Sequence, residues 1–357
     1  MNRLYINGKF YAGELNGVHR VADRLIRELD ARLAGLPDDG RAEVVLFVPT
    51  RRTRTPELKA IRIVEEARGH SQIWEQLILP SRAKDGLLLN LCNLAPILHR
   101  NKVLMLHDAQ FLFPDSSYPA RLRWGYRLLT PMMARTSKLV LTVSEYSRQM
   151  LDLLGVAPRA NTEVLHNGVD HMLDTPADAD IVGRLGLPAG RYAVHIASAK
   201  AYKNTVVAFD AFADPALADI PLVLIGTTRE ALTGAGLTPP PGAVFAGRVD
   251  DAGLRGLYEG ALCLLFPSRT EGFGLPPAEA AMVGCPSVVS PAGAIPEVCR
   301  DTALYADVDK PEAWIAAVRA YADDATLRDG KAAAAQARSG DLTWSRAGAV
   351  LADLLER

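Results

Sequence analysis

The chain has 357 residues, 49% of them hydrophobic and 23% charged, with a formal net charge of −1. That balance excludes a disordered or collagen-like chain, and the length exceeds one ordinary core, so two domains of roughly 150 to 200 residues are expected. The charge is uneven: residues 1–160 carry 24 Lys and Arg against 16 Asp and Glu, and 161–357 carry 16 against 25. A basic first half suits an anionic partner, such as a phospholipid surface or a phosphorylated acceptor, and equally suits plain solvated surface. Cys92, Cys263, Cys285 and Cys299 form no CxxC pair and lie mostly in apolar runs, which favours reduced, buried thiols over disulfides or zinc. The start "MNRLYINGKFY" has no apolar signal core, and no run of about 18 apolar residues could span a bilayer, so a cytoplasmic protein is expected.

Along the first half, short apolar runs alternate with helical patterns: "RLYING", the helix "VHRVADRLIRELDARLAGL", then "EVVLFVP", "LLLNLC", "KVLMLHD" and "KLVLTVS". This is the βαβ rhythm of a parallel sheet. In "NGVHRV", Gly17 stands at a helix entrance, where its amide can face an anion. His107 and Asp108 close "KVLMLHD" at its carboxyl end, the side of an open α/β sheet where ligands bind. A satisfied structural histidine and an N-cap carboxylate remain open readings for those two. "YPARLRWGYRLLTPMMARTSK" interleaves arginines with Trp124, Tyr126, Leu128, Leu129, Met132 and Met133, which fits a helix on an anionic membrane or an arginine-flanked core helix. "TRRTR", residues 50–54, is a second basic cluster. "SEYSRQMLDLLG" runs from an N-cap at Ser144 to Gly155, and "TEVLHNGVD" closes the half.

Residues 170–190 gather Asp, Pro and Gly and read as a linker. Strands then restart with "YAVHIAS", "PLVLIG", "AVFAG", "ALCLLFPS", "PSVVS" and "TALYA", a second α/β domain. A last helix, "WSRAGAVLADLLE", has no strand after it.

The stretch with the most chemistry is "SRTEGFGLPPAEAAMVGCPSVV", residues 268–289. Gly272 and Gly274 let backbone approach a ligand, and the amides of Phe273, Gly274 and Leu275 lie at the positive end of the helix that Pro276 and Pro277 begin, which makes a phosphate site. Carboxylates beside a phosphate make sense as strong acceptors for sugar or ribose hydroxyls. Glu271 belongs to the loop and Glu279 to the helix, so the pair addresses different parts of one long ligand. Two solvated carboxylates on a Gly/Pro-rich connection are the plain alternative. A glycosidase acid and nucleophile are another.

Residues 263–297, "CLLFPSRTEGFGLPPAEAAMVGCPSVVSPAGAIPE", resemble the C-terminal signature of glycosyltransferase family 4, retaining enzymes with two glutamates separated by seven residues, as Glu271 and Glu279 are. The likeness continues in "GVHRVADRLIREL", "LTVSEYSRQML", "VLHNGVD", "KNTVVAFDAFA" and "AGRVDDAGLRGLYEGALCLLFPS". It implies an α/β protein of the GT-B fold, two Rossmann-like domains with parallel sheets facing a cleft. Residues 1–172 would form the acceptor side and 173–340 the nucleotide-sugar side, with a helix in 341–357 crossing back to the first domain. The implied activity is retaining transfer from a nucleotide-sugar, GDP-mannose ahead of UDP- or dTDP-sugars, to a glycan or lipid-linked saccharide in bacterial surface polysaccharide synthesis. No metal or other cofactor and no nucleic acid is implied, and peripheral contact with the inner face of an anionic membrane fits.

Carried over by position, Glu271, His107 and Lys203 are the implied catalytic residues. Glu271 would accept hydrogen bonds from the donor sugar, Gly272, Phe273, Gly274 and Leu275 would hold sugar and diphosphate, and Glu279 would take the ribose diol. Lys203 would neutralise the leaving diphosphate, which Gly17 would face from the other domain. Where many members carry an arginine this chain has "ASAKAY", with Ser198 on the donor side, so that Lys200, Arg248 or neither supplies the second phosphate contact. A non-catalytic nucleotide-sugar-binding protein of the same fold is a further reading.

Overall fold

The computed structural model describes residues 3–14, 16–37, 41–67, 71–113 and 120–357. Two compact units emerge, one from the described residues up to 168 together with 344–357, the other from 169–343.

The first unit is built on β1 (Arg3–Asn7), β2 (Glu43–Pro49), β3 (Arg62–Glu66), β4 (Leu87–Asn90), β5 (Lys102–Met105), β6 (Leu139–Thr142) and β7 (Thr162–Val164). They form one sheet in the order β3-β2-β1-β4-β5-β6-β7, every pairing parallel. The Leu-rich β4 is buried at every position, as a strand covered on both faces requires. Strand β3 escapes sequence reading because "RIVEE" has no apolar run; it is an edge strand, paired only to β2 and mostly open to solvent. The segment leading into it is pinned from elsewhere. Buried Asp30, on α1 (Gly17–Ala34), accepts hydrogen bonds from the amides of Lys59, Ala60 and Ile61 at 2.7–2.8 Å.

Helix α1 is capped by Asn16, whose side chain accepts from the His19 amide. Helix α2 spans Ala120–Arg135, and α3 (Glu145–Leu153) is capped by Ser144, as its sequence indicates. The C-terminal helix Trp344–Glu356 packs on α1, with Gly348 so close to Glu28 that a Cβ would collide with that side chain.

The second unit holds β8 (Ala193–Ile196), β9 (Leu222–Ile225), β10 (Val244–Gly247), β11 (Cys263–Phe266), β12 (Ser287–Val289) and β13 (Leu304–Tyr305), ordered β10-β9-β8-β11-β12-β13 and again all parallel. Its helices are α4 (Thr205–Ala213), α5 (Asp251–Glu259), α6 (Leu275–Met282), α7 (Ile295–Cys299), α8 (Pro311–Asp323) and α9 (Ala325–Ser339). Trp314, Val318 and Tyr321 of α8 join Phe209 and Phe212 of α4 and Leu222, Leu224 and Leu265 of the sheet in one core. The segment read as a linker contains a 3-10 turn, Asp170–Leu173, that buries His171 and Met172. All four cysteines are free, and burial pushes the thiols of Cys263 and Cys299 up to about 12.

In each sheet the strand order reverses once, between β1 and β4 and between β8 and β11. At such a reversal the crossover helices leave toward opposite faces, so the loops after the two central strands part and leave room for a ligand.

Candidate functional site

In the second unit, the loop after β8 carries Ser198, Lys200 and Lys203, and the loop after β11 carries Glu271. The Arg269 amide donates to the Tyr202 carbonyl at 2.7 Å and sews the two loops together. Lys203 Nζ then donates to Glu271 Oε1 at 2.7 Å, both side chains mostly shielded from water. The ammonium also lies 5.3 Å from the ring centres of Tyr202 and Phe266, whose π faces favour a cation there.

The loop after β8 is held from below. His195 is buried, with Nδ1 3.1 Å from the Leu265 carbonyl oxygen and Nε2 3.1 Å from Thr205 Oγ1, and Thr205 in turn bonds the backbone of Ser198. Asn204 takes a left-handed conformation and donates from Nδ2 to the Val308 carbonyl at 2.7 Å.

Glu271 itself is fixed through its backbone. The Ala294 amide donates to the Glu271 carbonyl at 3.0 Å, and Gly293, at φ +64°, lies so near that a Cβ would come within 2.5 Å of the Glu271 nitrogen and 2.7 Å of its oxygen. Gly274, at φ +94°, is the N-cap of α6, a conformation glycine adopts at no steric cost. Gly272, Phe273 and Gly274 are buried, and Leu275 opens the helix with Pro276 and Pro277 after it. The helix amides therefore face the same loop that presents Glu271.

Glu279, one turn into α6, is buried, and its Oε1 lies 3.1 Å from Nε2 of the fully enclosed His171. The two glutamates thus engage different partners. Arg248 is exposed just beyond β10, and Lys200 is exposed as well. Sequence reading missed His171, 108 positions from Glu279, for which no local signal exists. It also gave no part to Gly293, although "SPAGAIPE" carries the glycine-turn signature.

In the first unit, His107 follows β5 and is buried, its Nε2 2.9 Å from the Leu91 carbonyl oxygen and its amide donating to Asn93 Oδ1 at 2.8 Å. A carbonyl only accepts, so Nε2 carries the proton and Nδ1 is left as an acceptor. Desolvation pushes this imidazole down to about 4, which keeps it neutral. Asp108 Oδ1 accepts from the Gln110 amide at 2.9 Å, just before the 3-10 turn Gln110–Leu112. Gly17 opens α1 directly after the Asn16 cap.

Two parallel sheets whose strand order each reverses once, with a lysine, a carboxylate and a glycine-capped helix start meeting at one reversal, define an α/β protein of the GT-B type. Residues 190–324 match the family model described as Glycosyl transferases group 1. Over 255 residues the chain is 29% identical to the O-antigen chain mannosyltransferase B of Escherichia coli, covering 68% of this chain and 66% of that enzyme. Over 227 residues it is 26% identical to the O-antigen chain mannosyltransferase RfbU of Salmonella typhimurium, covering 62% and 60%. The matches thus span less than two thirds of those relatives' own length. The Anabaena protein HepE, solved in complex with UDP and glucose, superposes with a TM-score of 0.72 at 17% identity over 100% of this chain and 99% of its own. Residues 190–324 thus carry the likeness to group 1 glycosyltransferases, and the two-sheet architecture is that of the GT-B fold.

Two tests follow from this geometry. Gly293→Ala imposes both a left-handed alanine and a clash on the Glu271 backbone, and should cost about 1–3 kcal/mol in a urea unfolding experiment. A wild-type midpoint would show that the loop relaxes freely. The second test concerns pH. Burial pushes His195 down to about 4, like His107, whereas an unfolded imidazole takes its proton near pH 6.5. The unfolded chain therefore binds more protons between those values, and stability is full above about pH 6.5 and is lost as pH falls toward about 4. His107→Gln and His195→Gln should each flatten that slope by up to one proton, and an unchanged slope in both refutes the assignment.

Proposed function

We propose that the chain transfers a hexose, with retention, from a nucleotide-sugar held by the second unit to a saccharide acceptor held by the first, in assembly of a bacterial surface polysaccharide. The observation that carries this reading is the Lys203–Glu271 pair at 2.7 Å beside the start of α6. It supplies a cation, a hydroxyl acceptor and helix amides within one pair of loops. On donor binding Lys203 exchanges Glu271 for the diphosphate, and Glu271 turns to a sugar hydroxyl. Gly272, Phe273, Gly274 and Leu275 line the diphosphate, and Glu279 takes the ribose diol with His171 behind it. Lys200 or Arg248 is the candidate for the second phosphate contact, and Ser198 and Gly17 are further donor-binding residues.

The chemistry asks for stabilisation of a departing diphosphate and of positive charge at the anomeric carbon, which preorganised cations and amides provide. The bond from anomeric carbon to phosphate oxygen breaks as the bond to the acceptor oxygen forms on the same face, and the acceptor's proton passes to the departing phosphate oxygen. His107, neutral and with Nδ1 as acceptor, receives a hydrogen bond from a sugar hydroxyl and does not act as an acid. The reading involves no resident metal or other cofactor. A glycosidase pairing of Glu271 with Glu279 is disfavoured, because one carboxylate is tied to a lysine and the other to a buried histidine.

GDP-mannose is the first donor to test, in line with the named activity of the two O-antigen relatives; UDP- and dTDP-sugars come next. A donor that binds the folded state raises the melting temperature, by an amount equivalent to about 2.7 kcal/mol at a hundred times its Kd. Glu271→Gln should keep that shift while transfer falls by about 100-fold or more. No shift with any of the three donor classes, or full turnover by the variant, would reject the reading.

A lipid-linked acceptor places the enzyme at a membrane surface, and α2 fits that task. Among the described residues no helix is long and apolar enough to cross a membrane. On α2, however, Trp124 is 65% and Leu128 61% exposed, with Leu129 and Met132 also exposed and Arg127 and Arg135 beside them. Residues 118 and 119, which open this stretch in the sequence, lie outside the described residues. The chain should sediment with phosphatidylglycerol vesicles and not with phosphatidylcholine ones, and the double change Trp124→Glu, Leu128→Glu should release it. Equal binding by the variant would remove the membrane contact from the reading.

A further inference from the structure

Arg54 closes the basic cluster after β2, and its surroundings differ from those of every other described arginine with a buried nitrogen. Its Nε and Nη2 are both buried without a hydrogen-bond partner. Arg41, Arg148 and Arg338 also leave a buried Nε unmet, but each is anchored through another guanidinium nitrogen, to the Leu36 carbonyl, Glu145 and Asp341 respectively. Among the described residues Arg54 has no such anchor.

The guanidinium is held by faces, not by edges. Its carbon lies 5.3 Å from the Tyr11 ring centre and 5.9 Å from that of Phe10. The backbone beside it is locked, because Thr53 donates from its amide and its hydroxyl to the Tyr11 carbonyl at 2.9 and 3.1 Å. Ring contact satisfies the π face of a guanidinium and leaves its in-plane N–H donors without an acceptor.

Carboxylates that could quench the charge are committed to other cations. Asp23 accepts from the Tyr11 hydroxyl at 2.7 Å and pairs with Arg27 at 2.9 Å, and Glu75 pairs with Lys9 at 2.6 Å and Asn7 at 2.9 Å. The other titratable neighbours are His19 and the Cys92 thiol, which burial keeps protonated. Phe10 and Tyr11 follow β1, Arg54 follows β2 and Cys92 follows β4, so all lie at the carboxyl edge of the first sheet beside its strand-order reversal.

A permanently charged fork with two buried donors unmade costs free energy until an acceptor arrives, and the acceptor that matches two coplanar N–H groups is an oxyanion. We propose that Arg54 binds an oxyanion group, phosphate or carboxylate, carried by the saccharide acceptor. The acceptor half of this statement rests on the function proposed above. The oxyanion site itself does not.

The test is isothermal titration of inorganic phosphate and, separately, of sodium acetate into wild type, Arg54→Gln and Lys203→Gln, at constant ionic strength. The expected result is saturable binding of at least one anion that weakens tenfold or more in Arg54→Gln and survives in Lys203→Gln. Binding of phosphate alone assigns a phosphorylated acceptor, and binding of acetate as well assigns a carboxylate-bearing one. Wild-type affinity for both anions in Arg54→Gln overturns the site. If that variant fails to fold, Arg54→Lys, which keeps the charge and loses the fork, should bind measurably more weakly than wild type; equal affinity overturns the site.

Repeating the titration on GDP-saturated protein separates the sources. Additive binding supports an acceptor anion, whereas displacement by GDP makes the anion the donor's diphosphate and overturns the acceptor assignment. A chain that binds no nucleotide but keeps Arg54-dependent anion binding would sink the transferase reading and leave the oxyanion site standing.

Discussion

The loop after β11 can present a carboxylate only because its backbone rests directly on Gly293, at a separation that no Cβ tolerates. The Ala294 amide, bonded to the Glu271 carbonyl at 3.0 Å, turns that contact into a clamp, and Arg269 ties the same loop to Tyr202 on the other side. With the backbone fixed at both points, the Glu271 side chain meets Lys203, and Gly274 can turn the chain sharply into α6. Glycine has two separate duties here: at 293 it allows close approach, and at 274 it supplies the left-handed turn before the helix.

The lysine and the carboxylate of this part of the molecule form one ion pair. Lys203 and Glu271, both largely shielded from water, each offset part of the other's desolvation. Glu279 meets the His171 ring at 3.1 Å within the core of the second unit. The buried imidazoles His107 and His195 contribute hydrogen bonds without charge, since burial suppresses their protonation. The first unit does the reverse at Arg54, where a cation that cannot be neutralised is left with donors unmade.

Much of the architecture was legible along the chain. Runs such as "LLL" and "CLLF" are apolar throughout because a strand covered on both faces demands it, and Ser144 announces its helix because a cap acts within three residues. Strand β3 was not legible, for an edge strand half in water has no apolar pattern to show. Asp108 accepts from the Gln110 amide, a local bond that its position after a strand did not specify. The pairing of Lys203 with Glu271 could be expected only from family likeness, since 68 positions separate them and neither residue carries a mark of the other.

The amino-acid sequence by itself determined the two α/β units, the helix start at Leu275 and the placement of Glu271 on a loop and Glu279 on a helix, because periodicity, proline and glycine act over a few residues. Only the tertiary structure decided that His171 stands behind Glu279, that Gly293 supports Glu271, that Asp30 anchors the approach to β3 and that Arg54 lies unpaired on two rings. Each of these is a contact between segments that parallel-strand crossovers bring together from far along the chain. Such contacts depend on which loops share a sheet edge, a property of strand order that no single stretch of residues contains.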